Sequence, residues 1–391
     1  MSATPSSPAW RVVVAAGAGQ LLAWGSSYYL LAILARPMAA DMDLAPLWVY
    51  ASFSGALLVA AMLGPFAGAR IDRHGGRCVL LASNALFALA LIVLALAEDR
   101  WSLLLGWLLM GAAMPMGLYD AAFSTMVGLY GARARRAIVG ITLIAGFAST
   151  ISWPLTAAIE AEAGWRAACV VWAVLHLTVG AGIHAWLLPP SPPMSAHPAV
   201  AAAAAGDGVG VPPPRTLWLL ALVFTASGFV FAAMATHLPR LLELGGCSPA
   251  QAVAAASLVG IAQVVGRVVE AGWLSRLHPL ATARLSSVLH PLGAMLFALF
   301  GGPLAFTFAA LHGAGVGIMT IVKGTLPLAL FGTTGFGRRA GLLEAPARLA
   351  QATAPMLFGV ALDHWGAAAL WLSIAAGAIA VAGVLGLRTR A

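Results

Sequence analysis

Runs of about twenty apolar residues recur along the 391-residue chain, and this repetition decides the environment in which it can fold. A helix rises ~1.5 Å per residue, so each run is long enough to cross the ~30 Å hydrocarbon layer of a bilayer. Twelve can be counted, near 11–36, 46–69, 78–97, 102–130, 137–159 and 166–188, then 215–239, 249–274, 280–301, 304–332, 340–362 and 367–387. Between them little charge is left to place: 9% of residues are charged and 61% hydrophobic, where a soluble domain carries about 25% charged residues. A β-barrel would instead show alternating strands of ~10 residues. These segments are longer, continuously apolar and rich in Ala, Leu and Gly. The fold class expected is all-α integral membrane, with twelve transmembrane helices.

The opening stretch, "MSATPSSPAW", lacks a charged leader and a small-residue cleavage site, and reads as a retained tail. Cys78, Cys169 and Cys247 are scattered and imply neither a disulfide framework nor a metal cluster. Orientation follows from arginine. One set of connecting segments holds Arg11, Arg70, Arg73, Arg77, Arg133, Arg135, Arg136, Arg215, Arg276, Arg284, Arg338, Arg339, Arg388 and Arg390, whereas the opposite loops hold only Arg36, Arg100, Arg166 and Arg240. Positive residues are retained on the cytoplasmic side, so both termini are expected there, in a cell inner (plasma) membrane. The net charge of +8 therefore reflects topology and does not point to nucleic acid.

The stretch between the sixth and seventh runs, "LLPPSPPMSAHPAVAAAAAGDGVGVPPPR", has the composition of an unstructured connector. Around it the sequence repeats itself at an offset of about 203 residues, "GARARRAIVG" answering "GFGRRAGLLE". The expected organisation is a six-helix bundle over 1–188, a cytoplasmic linker over 189–214, and a second six-helix bundle over 215–391. Two parallel six-helix halves are a transporter arrangement. After the second run comes "GPFAGARIDRHGGRCVL", with Gly68, Asp72, Arg73, Gly75 and Arg77. This spacing resembles the loop motif of the major facilitator superfamily, although Gly76 stands where the first of two paired basic residues is usual. The resemblance implies that the loop is a cytoplasmic gate, and that spans one, four, seven and ten line a central cavity. Independently of it, Gly68 allows close helix approach, Gly75 permits a tight turn, and Asp72 suits a helix amino terminus. The equivalent loop of the second half carries Ser275 at the acid position.

Six ionisable residues fall within the runs: Asp120, Arg267, Glu270, Lys323, Glu344 and Arg348. Each costs roughly 2.5–3.5 kcal/mol at a helix centre, so each calls for a partner or an aqueous cavity. Lys323 is the only lysine in the chain. Asp120 and Lys323 occupy nearly equivalent positions in the two halves, and the resemblance implies that they face each other across the cavity. They read either as a structural salt bridge or as a substrate and coupling pair. Thr320, Met319 and His312 share the Lys323 face; Gln20, Trp24 and Ser27 form a stripe on span one beside Tyr28, and Tyr119 adjoins Asp120. Arg267 and Glu270 (i, i+3) and Glu344 and Arg348 (i, i+4) are spaced for intrahelical pairs or for function. "GIAQVVGR" is similar to the span-eight segment of monocarboxylate and oxalate/formate transporters, which implies that Arg267 engages a substrate carboxylate. Asp120 and Glu270 are the candidate proton carriers, with His237 a further one.

Neither H-E-x-x-H nor G-x-S-x-G occurs, and Gly324 after Lys323 excludes a phosphate-binding loop there. The expectation is therefore a non-enzymatic, cofactor-free and metal-free secondary carrier. Its substrate-binding residues would be Arg267, Lys323, Tyr119, Tyr28, Gln20 and Trp24. It would act as a monomer in the lipid bilayer, moving a small organic anion, a monocarboxylate, with proton symport. Proton-driven export of a drug or toxic metabolite is the alternative. Span five bears on it: Gly140, Gly146 and Pro154 are present, but Trp153 precedes the proline, so the antiporter signature of drug exporters is incomplete.

Overall fold

A computed structural model describes residues 10–190 and 214–388; the polar tail, most of the connector and residues 389–391 lie outside the described residues. The chain divides into two compact units, Met1–Val209 with Phe331–Ala345, and Gly210–Leu330 with Pro346–Ala391.

The first unit contains α1 (Trp10–Gly25), α2 (Tyr28–Asp41), α3 (Pro46–His74), α4 (Gly76–Ala95), α5 (Arg100–Gly117), α6 (Tyr119–Tyr130), α7 (Arg135–Ala145) and α8 (Ala148–Leu175). Two π-helical turns, His176–Gly180 and Ile183–Leu187, carry the line of α8 onward. Three crossings are interrupted. The first breaks at Ser26–Ser27, the fourth at Leu118 and the fifth at Gly146–Phe147. Serine offers the backbone alternative hydrogen bonds, while Pro115 withholds an N–H just before the fourth break. Helix α8 spans a reversal at Gly164 (φ 82°, ψ 167°), a conformation that glycine adopts without a Cβ penalty. Asp99 caps α5, accepting from the N–H groups of Trp101 and Ser102 at 2.7 and 2.8 Å. The Ser102 backbone donor heads the causes that hold the Asp99 carboxyl below its usual value.

The second unit contains α9 (Pro214–Leu244), α10 (Pro249–Gly272), α11 (Pro279–Phe300), α12 (Ala305–Phe331), α13 (Phe336–Trp365) and α14 (Leu370–Leu385), with α13 starting among first-unit residues. Its core joins Met234, Leu238 and Leu241 to Phe297, Phe308, Phe358 and Leu370. Helices α10 and α12 pack backbone against backbone. A Cβ at Gly266 would lie 2.7 Å from the Ala314 carbonyl oxygen, and one at Gly313 would lie 2.5 Å from that of Val259. Inside a membrane, where apolar burial does not discriminate, such small-residue contacts supply the packing. They also fix the helices that carry Arg267 and Lys323.

Eight continuous helical stretches among the described residues are long and apolar enough to cross a membrane. Residues 100–187 form one of these and hold three crossings, separated by the turn Gly131–Ala134 and by Gly164. Residues 336–385 form another and hold two, reversed at Gly366–Ala369. The broken first crossing adds the twelfth, because its pieces of 16 and 14 residues are individually too short.

Candidate functional site

In the first unit, the breaks in the first and fourth crossings meet at a cluster of rings. Where α5 gives way at Leu118, the N–H of Ala121 turns to the Leu118 carbonyl at 3.0 Å, outside the regular ladder. Gln20 of α1, only 1% exposed, donates from Nε2 to the Gly117 carbonyl at 2.7 Å. One turn further along α1 lies Trp24, its ring centroid 4.8 Å from Tyr28, 5.1 Å from Tyr119 and 6.1 Å from Tyr29. Tyr28 meets Phe53 edge-on at 5.2 Å, and Tyr119 stacks on Phe123 at 5.2 Å. Gln20 Oε1 and Trp24 Nε1 are both buried without a hydrogen-bond partner. An unsatisfied acceptor and an unsatisfied donor thus lie one turn apart beside half-buried aromatic faces. Buried polar atoms are seldom left this way, and a ligand or water carrying both functions satisfies them. Asp120 occupies the first turn of α6, where the helix dipole favours a carboxylate.

In the second unit, Lys323 is half-buried on α12, its Nζ 5.6 Å from the centroid of the buried Phe224 ring. A cation–π contact of this kind steadies an ammonium without cancelling its charge. On α10, Arg267 (6% exposed) and Glu270 (1% exposed) stand one turn apart. Arg267 Nε is a buried atom without a hydrogen-bond partner. His312, on the Lys323 helix, meets His290 through their Nδ1 atoms at 3.0 Å. His237 donates from Nε2 to the Pro355 carbonyl at 2.7 Å, joining α9 to α13. Glu344 and Arg348 are both buried on α13, and the division between units falls between them. Asp120 and Lys323 likewise belong to different units.

The loop after α3 is tied to the start of α13 within the first unit. Asp72 accepts from the backbone N–H groups of Gly337 and Arg338, each at 2.9 Å. These are orphan donors at a helix amino terminus, where a carboxylate is favoured both by hydrogen bonding and by the dipole. Gly68 packs beneath Gly337 so tightly that any side chain at 68 would strike the Gly337 carbonyl. Gly75 makes the turn with φ 81°. Arg77 reaches the Ala185 carbonyl, while Arg73 stays exposed. The glycine at 76 also has a cause: a Cβ there would run into the Thr125 side chain, so there is no room for the basic residue usual at this position.

The model of the Major Facilitator Superfamily matches residues 16–321. The chain belongs to this superfamily. Solved structures share the fold at low identity. The human organic anion transporter MFSD10 (TETRAN) superposes with a TM-score of 0.74 at 17% identity, covering 97% of this chain and 99% of that one. The proton:xylose symporter XylE bound to 6-bromo-6-deoxy-D-glucose gives 0.74 at 13% identity, covering 95% and 94%. FucP in the outward conformation gives 0.70 at 12%, covering 95% and 97%. A search of curated proteins finds no significant match. Superfamily membership makes this a multi-pass membrane transporter for small molecules rather than an enzyme.

Within this major facilitator the structure brings Gln20, Trp24, Tyr28 and Tyr119 into one cluster, with Asp120 next to Tyr119 in the chain. Arg267 shares a buried face with Glu270, one helix away from Lys323. Two groups escaped a reading that looked for charge. One is the His290–His312 pair. The other is a chain of buried polar residues, Ser26, Asn84, His176 and His184. Each member is a polar residue within an apolar run, a signal open to a search for uncharged hydrogen-bonding groups.

Proposed function

We propose that this facilitator is a proton-coupled symporter of small organic anions, monocarboxylates, working by alternating access. The observation that carries the proposal is the asymmetry of its buried chemistry. Span eight holds a nearly inaccessible guanidinium with an unsatisfied Nε, and span ten holds the chain's single lysine against an aromatic ring. A planar guanidinium with an open donor is built for a carboxylate, and an ammonium adds a mobile point charge. By itself, the first unit offers ring faces and the unsatisfied pair on Gln20 and Trp24, suited to a partly apolar ligand with a polar substituent. Asp120 and Glu270 are the proposed proton carriers. The Asp72 loop would act as the cytoplasmic gate, the arginine distribution supports both termini on the cytoplasmic side of a plasma membrane, and the carrier would act as a monomer. A fold neighbour that transports organic anions and another that is a proton symporter are compatible with this reading.

Ligand-linked stability tests the binding half of the proposal. Lactate and benzoate at about a hundred times Kd should each stabilise the purified protein by about 2.7 kcal/mol. That stabilisation should vanish in Arg267→Gln and fall in Lys323→Gln. Stabilisation by lipophilic cations alone would reverse the assignment. It would favour the second reading, proton-driven export of a drug or toxic metabolite, for which the aromatic cluster next to Asp120 is the supporting observation.

A further inference from the structure

The buried polar chain in the first unit runs through three crossings. Ser26, at the break between α1 and α2, places Oγ 2.7 Å from His176 Nε2. His176 Nδ1 lies 2.9 Å from Asn84 Oδ1 on α4. Asn84 Nδ2 lies 2.6 Å from His184 Nδ1 and donates to the Leu80 carbonyl at 2.8 Å. Ser26, Asn84, His176 and His184 are at most 3% exposed, and both histidines sit in the π-helical turns that follow α8. Such turns recur at functional positions because they re-aim side chains at the expense of the regular ladder.

Hydrogen-bond inventory assigns every proton. The Leu80 carbonyl fixes the Asn84 amide, since a flipped amide would set oxygen against oxygen. The amide oxygen carries no proton, so His176 must donate from Nδ1. Its Nε2 is then an acceptor for the Ser26 hydroxyl. The amide nitrogen donates to His184 Nδ1, which leaves the His184 proton on Nε2. A second proton on His184 would oppose two donors. A second proton on His176 would displace the Ser26 hydroxyl toward the Ala23 carbonyl, 3.4 Å away. Among the described residues, the groups around His176 are Ser26 at the break after α1, Asn84 and Phe87 from α4, and His184 on its own crossing, and none of these is a carboxylate. A buried imidazolium without an anion is strongly disfavoured.

We propose that Ser26, Asn84, His176 and His184 form a neutral, unidirectional hydrogen-bonded strut that sets the break in the first crossing, making them positioning residues for Trp24 and Tyr28. Ser26 lies two residues after Trp24 and two before Tyr28. The break is also wedged from outside, since a Cβ at Gly25 would meet Trp172 at 2.8 Å and Ser152 at 2.9 Å. Only the last step, from ring placement to substrate affinity, rests on the binding reading given above.

The test uses full-length protein in lipid nanodiscs with nitrogen-15-labelled histidine, the signals being assigned through His176→Gln and His184→Gln. Tautomers are read without any substrate. His176 is expected as the Nδ1–H form and His184 as the Nε2–H form, neither gaining a proton between about pH 5 and 8. Asn84→Asp, which swaps the amide donor for an acceptor, should hold an imidazolium at His184 at neutral pH. Wild-type imidazolium at neutral pH, or an Nε2–H form of His176, overturns the strut. Positioning is read by 5-fluorotryptophan resonances: Ser26→Ala should move the Trp24 signal and leave that of the exposed Trp218 in place. An unmoved Trp24 signal overturns the positioning role. Where benzoate uptake is present, Ser26→Ala should raise KM about tenfold and leave kcat within about twofold. Absence of uptake would count against the carboxylate reading alone, because the tautomers and the Trp24 signal are independent of it.

Discussion

Replacing Asp72 by alanine removes one carboxylate that closes two backbone donors. Both bonds are 2.9 Å long and charge-assisted, and both end on the first turn of α13. Hydrogen bonds to charged groups contribute about 1.5–3 kcal/mol each. Asp72 is only half-buried, which places each bond at the lower end of that range. The clamp is therefore worth about 3 kcal/mol, or about 150-fold in the ratio of clamped to released α13 start. Hydrogen–deuterium exchange reads this directly, because Gly337 and Arg338 are the residues whose amides Asp72 protects. In a peptide over residues 332–342, Asp72→Ala should accelerate the exchange of these two amides by about two orders of magnitude. Amides in the middle of α11 should exchange as before. Asp72→Asn keeps one acceptor but sets an amide donor against the second N–H, so it should fall between wild type and alanine. Unchanged exchange at Gly337 and Arg338 in Asp72→Ala would refute the clamp.

Two further substitutions probe the packing that supports the site. Gly76→Arg restores the superfamily's usual basic residue, yet it should lower stability by about 1–3 kcal/mol through overpacking against Thr125. Thermal melting in detergent checks this, with Thr125→Gly expected to return part of the loss; a wild-type melting curve for Gly76→Arg would count against the steric account. Gln20→Ala leaves the Gly117 carbonyl buried without its donor and should cost about 1–3 kcal/mol in the same assay, with carboxylate binding weakened in parallel.

The membrane class, the crossings and the superfamily were legible in the sequence because apolar run length is a direct physical requirement of the bilayer. The helix interruptions were less so. Ser26–Ser27 and Leu118 lie inside continuous apolar runs, and what marks them is local backbone chemistry: paired serines, and a proline two residues before Gly117. The Asp72 loop was readable from its spacing, but the partner that gives the carboxylate its purpose lies 265 residues away. The departure at Gly76 had no visible cause until Thr125 was placed beside it. Charged residues announced themselves, since each is costly in an apolar run. Asn84, His176 and His184 did not, because an uncharged polar residue is unremarkable in sequence and acquires meaning only from the neighbours that use its donors and acceptors.

We propose above that this major facilitator carries organic anions on Arg267 and Lys323. Uptake of labelled monocarboxylates into proteoliposomes, with and without an inward proton gradient, tests it most directly when wild type is compared with Lys323→Ala. Gradient-driven uptake that Lys323→Ala abolishes is the expected result. Absence of uptake for every acid, with efflux of lipophilic cations in its place, would contradict it.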